Sequence, residues 1–199
     1  MNRKIVFLTG RQRAGKDTVA DYLVEHFGFY KIAIADKIKD VAKDLFFMEE
    51  KDRGLLIEIG QKMREIRSGV WLEYLLRTIP EDKNKIVIPD VRLPKEYEIL
   101  CEMGAISVKV CSDVEYRKKR QGYNPEFEYD ATEGALEKYK HNFAVFNNYS
   151  EIEPLLEEAN ILGRNLHKER EKLNESPDEN HPIPDAEDFC ERHWNTKES

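Results

Sequence analysis

The chain has 199 residues, 40% hydrophobic and 36% charged, with 32 Lys/Arg, 39 Asp/Glu and a formal charge of −7. That length suits one α/β domain with small insertions, and no run approaches the ~20 apolar residues of a membrane helix. Ten acidic and five basic residues fall within 168–199, leaving −2 for residues 1–167, a balance that argues against a nucleic-acid binder or motor.

The opening MNRKIVFLTG has too short an apolar core for a signal peptide. A cytoplasmic protein is therefore expected. Within it, KIVFLTG (Lys4 to Gly10) reads as a buried parallel strand ending in glycine. Val19, Ala20, Leu23 and Phe27 follow at helical spacing, and Gly28 can cap that helix. FYKIAIA, ending at Ala35, reads as a second strand. A long helical region from Asp36 to about Ile79 follows. There Leu55, Ile59, Met63 and Ile66 make an apolar face, and Gln61, Arg64 and Ser68 share another.

KIVIPD is a third strand that ends on Asp90, and Pro94 can open the next helix, with Gly104 ending it. AISVKVC is a fourth strand. SDVE, from Ser112, fits a capping box, and the helix it opens is closed by Gly122. A short helical stretch lies near Thr132, and FAVFNN is a fifth strand. Ser150 and Glu153 can cap a last helix through Leu155, Leu156, Ala159, Leu162 and Leu166. Beyond about Lys172 the composition becomes that of an acidic tail, in which Phe189 and Trp194 can dock.

Strands alternating with helices predict a doubly wound parallel sheet of about five strands. Ligands of such sheets sit at the strands' carboxyl ends, where Gly10, Asp90, Ser112 and Asn147 fall. Three widely spaced cysteines, Cys101, Cys111 and Cys190, point to reduced thiols, and Cys190 with His193 lacks a second pair for a metal site. His26 and His141 have no partner pattern and read as structural.

The first strand-to-helix turn, GRQRAGKDT, places Gly10, Gly15 and Lys16 as a phosphate-binding loop requires, but Asp17 stands where Ser or Thr is usual, with Thr18 one place later. Glycines let backbone N–H groups turn toward phosphate oxygens, and the helix adds its positive N-terminus. Gly10, Arg13, Ala14, Gly15, Lys16, Asp17 and Thr18 are the candidate nucleotide-binding residues. Lys16 would neutralise β- and γ-phosphates, and Asp17 can supply a hard oxygen to Mg²⁺. The competing reading is a chance glycine turn with Asp17 as a helix cap.

GRQRAGKDTVADYL resembles the Gly-x4-Gly-Lys-Asp-Thr loop of bacteriophage and bacterial deoxynucleoside monophosphate kinases. The resemblance continues through IADKIKDVAKDLF, GQKMREIRSGVW, IVIPDVRLPKEYEILCEMGAISVKV, DATEGAL and AVFNNYSEIEPLLEE, most of residues 4–158 in order. Animal phosphomevalonate kinases are similar in carrying Gly-Lys-Asp, whereas the combination with Asp90-Val91-Arg92 and Glu96 is more specific. The acidic tail has no counterpart in the resemblance. What the resemblance implies is a three-layer P-loop kinase fold and transfer of the ATP γ-phosphate to a nucleoside monophosphate in deoxynucleotide metabolism. An acceptor lobe is expected at about 36–80, a lid at about 113–135, the kinase domain over 1–172 and the tail over 173–199.

Asp90 is the second candidate Mg²⁺ carboxylate, and Val91 replaces the water-activating glutamate of many ATP hydrolases, which favours transfer over hydrolysis. Arg92 can fork two oxygens of the acceptor phosphate, with Glu96 orienting it; an Asp–Arg pair bracing a loop is the alternative. Asp36, Lys39 and Arg64 are candidates for the acceptor, though a solvated helix face explains Lys39 equally well. Arg117 and Arg120, three apart in the run Arg117-Lys118-Lys119-Arg120, are candidate lid arginines for the transferring group, the alternative being favourable charge near a helix C-terminus. Thr132 and Glu133 match a family motif without an assignable role. A kinase of another phosphorylated metabolite, of phosphomevalonate or dephospho-coenzyme A type, remains open, as do a non-catalytic ATP-binding switch and a homodimer.

Overall fold

A computed structural model of the chain describes residues 3–175, and of residues 169–175 the backbone alone. The expected tail beyond residue 175, with Phe189, Cys190, His193 and Trp194, lies outside the described residues. The described chain forms two compact units, one of residues 32–82 and one of the rest.

The larger unit is a five-stranded parallel sheet in the order β2-β3-β1-β4-β5, from β1 (Lys4–Thr9), β2 (Tyr30–Lys31), β3 (Lys85–Ile88), β4 (Ile106–Cys111) and β5 (Phe143–Phe146). The central strand β1 is apolar on both faces because helices cover both sides of such a sheet. Val6 and Leu8 meet Val19 and Leu23 of α1 (Lys16–Phe27) and Leu155, Leu162 and Leu166 of α8 (Glu153–Glu175). Phe7, on the opposite face, meets Tyr97 of α5 (Pro94–Glu102) edge-on at 5.3 Å. Helix α8 approaches α1 closely at Gly163, where a Cβ would come within 2.2 Å of the Phe27 ring. Gly28 closes α1 as expected, in the left-handed region, with its N–H donated to Leu23 O.

Gly10, Asp90, Ser112 and Asn147 follow the carboxyl ends of β1, β3, β4 and β5. The connection after Ser112 departs from expectation. Helix α6 (Val114–Arg117) is a single turn that starts after Asp113 without a side-chain cap, and Ser112 Oγ donates to Asn147 O at 2.6 Å instead of capping. A 3₁₀ turn at Pro125–Tyr129 and α7 (Ala131–Gly134) follow, α7 being capped by Asp130, which accepts from Thr132 N at 2.8 Å. Helix α8 starts at Glu153 and runs past Lys172 to Glu175, so its last turn carries the first residues of the acidic stretch.

The smaller unit packs α2 (Ile34–Phe46), α3 (Arg53–Ile66) and α4 (Val70–Thr78). Here the expected second strand is cut short. It ends at Lys31, and Ile34 opens a helix that buries Ile34, Ile38 and Ala42 at i, i+4, i+8. A short alternation such as Ile-Ala-Ile-Ala fits either period, and the helical stripe prevails through its burial. The buried side of α3 is narrower than its sequence suggests, with Ile59 and Gly60 buried and Ile66 81% exposed. Gly60 brings α3 against Ile38 and accepts Trp71 Nε1–H at its carbonyl, 3.1 Å away. Trp71, Leu72, Leu75 and Leu76 complete this core. Among the described residues no helix is long and apolar enough to cross a membrane.

Leu72→Ala, at a site only 1% exposed, should destabilise the protein by about 3 kcal/mol, whereas Ile66→Ala should change stability by less than about 0.5 kcal/mol. Urea unfolding of both variants checks the contrast.

Candidate active site

The turn from β1 to α1 is shaped by three left-handed residues, Gly10 (φ 135°), Arg13 (φ 58°) and Gly15 (φ 107°). At two of them glycine is also required by space. A Cβ on Gly10 would lie 2.3 Å from the Val110 carbonyl oxygen, and one on Gly15 would lie 2.6 Å from Asn147 Nδ2.

The carbonyls of this turn are taken up one after another by side chains. Lys16 Nζ donates to Gly10 O at 2.7 Å and to Arg11 O at 2.9 Å. Arg117 Nη1 reaches Gln12 O at 3.4 Å, Arg120 Nη1 donates to Arg13 O at 2.6 Å, and Asn147 Nδ2 to Ala14 O at 2.8 Å. Of the turn's N–H groups, Gln12 donates to the Glu133 carboxylate and Ala14 to Arg11 O at 3.2 Å, and a left-handed turn before a helix N-terminus is the kind of backbone that binds anions. Asn147, expected only at a strand end, therefore moulds the loop from β5, with its own N–H held by Cys111 O at 2.8 Å.

Lys16 is buried, and burial lowers its pKa to about 8. The Arg92 guanidinium pushes the same way, while Glu133, Asp17 and Asp90 oppose it. Asp17 itself is 80% exposed and pairs with Lys31 at 3.0 Å, Lys31 also holding Asp21 at 2.9 Å. Among the described residues no cluster of three or more His, Cys, Asp or Glu forms a metal cage. Asp17 and Asp90, both close enough to act on the Lys16 ammonium, nonetheless fit Mg²⁺, which takes one or two carboxylates and completes its shell with water and phosphate oxygens.

Arg92 sits in the loop after β3, and its Nη1 pairs with Glu133 Oε1. Glu133 Oε2 accepts the backbone N–H of Gln12, so this carboxylate, on a side chain only 1% exposed, joins α7 to the phosphate loop. Glu96, expected to orient Arg92, holds that residue through its backbone. Glu96 Oε2 accepts the backbone N–H groups of Arg92 and Leu93, both at 3.2 Å, as the N3 residue of α5. It shapes the chain, and Glu133 holds the guanidinium. The sequence showed Glu133 only as part of a motif.

The two lid arginines also differ from expectation. Arg117 is buried and forms a bidentate pair with Glu128, at 2.7 and 2.5 Å, besides donating through Nε to Ser112 O at 2.9 Å. Arg120 lies beyond α6 and donates to Ser112 Oγ at 3.0 Å and Asn147 O at 2.8 Å as well as to Arg13 O. Arg117 thus gives most of its donors to Glu128 and Ser112 and reaches the loop at Gln12 O, while Arg120 joins the neighbouring Arg13 O to Ser112 and Asn147. Arg11 adds a further tie, to Glu137 at 2.6 Å and Glu128 at 3.1 Å. His141 is structural as expected. Its Nδ1 faces Tyr139 O at 2.9 Å and must carry the proton, so neutral Nε2 accepts from Thr9 Oγ1 at 2.7 Å; burial lowers its pKa.

A cleft of about 190 Å³ opens beside the loop, lined by Thr9, Gly10, Arg11, Cys111, Ser112 and Glu133 among others. The remaining candidates belong to the smaller unit. Asp36 and Lys39 pair with each other on α2 at 2.8 Å, Lys37 lies 5.2 Å from the Tyr74 ring centroid, and the Arg64 guanidinium lies over Gly60.

Two charge effects can be measured. A buried ammonium with a pKa near 8 needs its proton to hold phosphate, so ATP affinity should weaken above pH 8, approaching about tenfold per pH unit, and Lys16→Met should remove that dependence. Calorimetric titration from pH 7 to 9.5 checks this. Hydrogen bonds from Arg117 hold the Glu128 carboxyl at about 2, below its ordinary 4.5. A depressed carboxylate contributes stability above pH 4.5 that is lost as pH falls toward 2. Glu128→Gln should therefore cost about 3 kcal/mol at neutral pH, a gap that narrows in urea unfolding at pH 3.

Residues 4–64 match the model of a family described as deoxynucleotide monophosphate kinase. The uncharacterized protein ORF76 of Ictalurid herpesvirus 1 (strain Auburn) is 31% identical over 112 residues, 51% of this chain and 45% of that protein. The chain thus matches less than half the length of that relative. Two solved shikimate kinases have a similar fold. The one from Bacteroides thetaiotaomicron is 16% identical with a TM-score of 0.53, over 82% of this chain and 98% of that one. The one from Acinetobacter baumannii, in complex with shikimate, is 16% identical with a TM-score of 0.53, over 83% and 94%. The chain is therefore P-loop kinase-like in fold, and its residues 4–64 carry the deoxynucleotide monophosphate kinase match.

Proposed function

We propose that this chain transfers the γ-phosphate of ATP to a nucleoside or deoxynucleoside monophosphate, giving ADP and the diphosphate, with Mg²⁺. The observation that carries the reading is the Gly-Lys-Asp loop, left-handed at Gly10, Arg13 and Gly15 before a helix N-terminus, inside the segment that matches the deoxynucleotide monophosphate kinase family.

In this reading Lys16 leaves the carbonyls of Gly10 and Arg11 and moves onto the β- and γ-phosphates, whose charge favours its ammonium form. Asp17 and Asp90 would hold Mg²⁺, which supplies neutralisation of the phosphate charge. Arg92 binds the acceptor phosphate in line with the donor. Val91 places no carboxylate beside Asp90 to activate water, which favours transfer over hydrolysis. Arg117 and Arg120 act by holding Gln12 O and Arg13 O, keeping the loop open, in place of touching the transferring group. The smaller unit, with Asp36, Lys39 and Arg64, serves as the acceptor lobe, and the segment around 113–135 serves as the lid. We place the enzyme in the cytoplasm.

The test is ADP formation from Mg·ATP with each common ribo- and deoxyribonucleoside monophosphate, with a no-acceptor control. One or two monophosphates should stimulate turnover, and Asp17→Ala should lower it by at least about tenfold, as for loss of one electrostatic contact to the phosphates. ATP binding without stimulation by any nucleotide would sink this reading in favour of another phosphorylated acceptor or a switch.

A further inference from the structure

The Glu133 carboxylate is a buried charge at the site, and phosphoryl transfer as described above has no use for it. Its two oxygens have different partners. Oε2 takes the N–H of Gln12 in the phosphate loop, and Oε1 takes Nη1 of Arg92. Arginine carries five N–H groups in a planar fork, so a carboxylate on one nitrogen sets the plane and leaves the other edge for a second anion. Glu133 is also held from behind. Asp130 caps α7, Leu136 just after it is buried, and Glu137 pairs with Arg11 at 2.6 Å. A side chain fixed in this way is a brace, whereas a stand-in for phosphate would have to leave whenever nucleotide enters.

The charges agree with this arrangement. Arg92 and Lys16 repel each other across the site, and Glu133 attracts both. A single anion behind two cations lets them stand together before any phosphate arrives.

We propose that Glu133 is a positioning residue that ties Arg92 to the phosphate loop, so that the free edge of the guanidinium meets the acceptor phosphate in register with the donor. The inference rests on the kinase reading for the identity of that phosphate, but not for the coupling of Glu133, Arg92 and the loop.

The test is a double-mutant cycle on the full chain, comparing wild type, Arg92→Gln, Glu133→Gln and the double variant, with Glu133→Asp as a charge-keeping control. Cooperative unfolding of each variant is checked first, and a Glu133→Gln that fails to fold leaves Glu133→Asp to be read in the same cycle. The first readout is the dissociation constant for inorganic pyrophosphate. Glu133→Gln should weaken binding by at least about fivefold, Glu133→Asp should recover part of the loss, and Glu133→Gln should add nothing once Arg92 is gone. The second readout is acceptor-dependent ADP formation, where Glu133→Gln should raise the acceptor KM with little change in the KM for ATP. Tighter pyrophosphate binding in Glu133→Gln would overturn the proposal, because the carboxylate would then be a competitor. Effects that multiply independently would overturn it too. A wild type without acceptor stimulation would sink the kinase reading alone, since the pyrophosphate cycle still decides the role of Glu133.

Discussion

The site depends on how the carbonyl groups of residues 10–14 are satisfied. A tight turn between a buried strand and a helix pairs little of its own backbone, here Ala14 N–H with Arg11 O at 3.2 Å, and a buried, unpaired carbonyl is costly. Here each of these carbonyls meets a donor from elsewhere, Lys16 from the helix the turn opens, Arg117 and Arg120 from the segment after β4, and Asn147 from the end of β5. Glycine at positions 10 and 15 follows from the same constraint, because the loop lies against the Val110 carbonyl and the Asn147 amide.

Holding carbonyls with cations concentrates positive charge. Lys16, Arg11, Arg92, Arg117 and Arg120 all belong to the immediate surroundings of the loop. Glu128, Glu133 and Glu137 answer them, from the 3₁₀ turn, α7 and the stretch just after it. The segment after β4 is therefore an electrostatic counterpart of the loop and not a detached cover. Fold stability and anion affinity are opposed at Lys16, whose burial disfavours the charge that nucleotide binding needs. Such conflicts between local stability and chemistry are usual at functional sites.

Much of this was legible in the chain. Apolar runs such as KIVF and KIVI announce buried parallel strands, and glycine, lysine and an amphipathic helix after a strand announce an anion loop. The errors came where two periods or two roles fit the same letters. Ile32 to Ala35 alternates like a strand yet starts a helix, and Ile66 continues an apolar stripe yet faces solvent at the helix end. Arg117 and Arg120 are three apart, but a helix that ends at Arg117 does not carry the spacing to a common face. Glu133 had no readable role, since its partners are Gln12, 121 positions away, and Arg92, 41 positions away.

By itself, then, the sequence determined the strand-helix alternation and the glycine-bounded turn at the sheet's carboxyl edge that leads into Lys16 and Asp17, because these follow from local periodicity and from the conformational freedom of glycine. Only the tertiary structure decided which side chain satisfies which carbonyl, why Arg117 and Arg120 brace the loop, and why Glu133 stands behind Arg92. Those pairings join residues remote in the chain, and their selection depends on distance, burial and the need to pair every desolvated charge, none of which is written in a short stretch of letters.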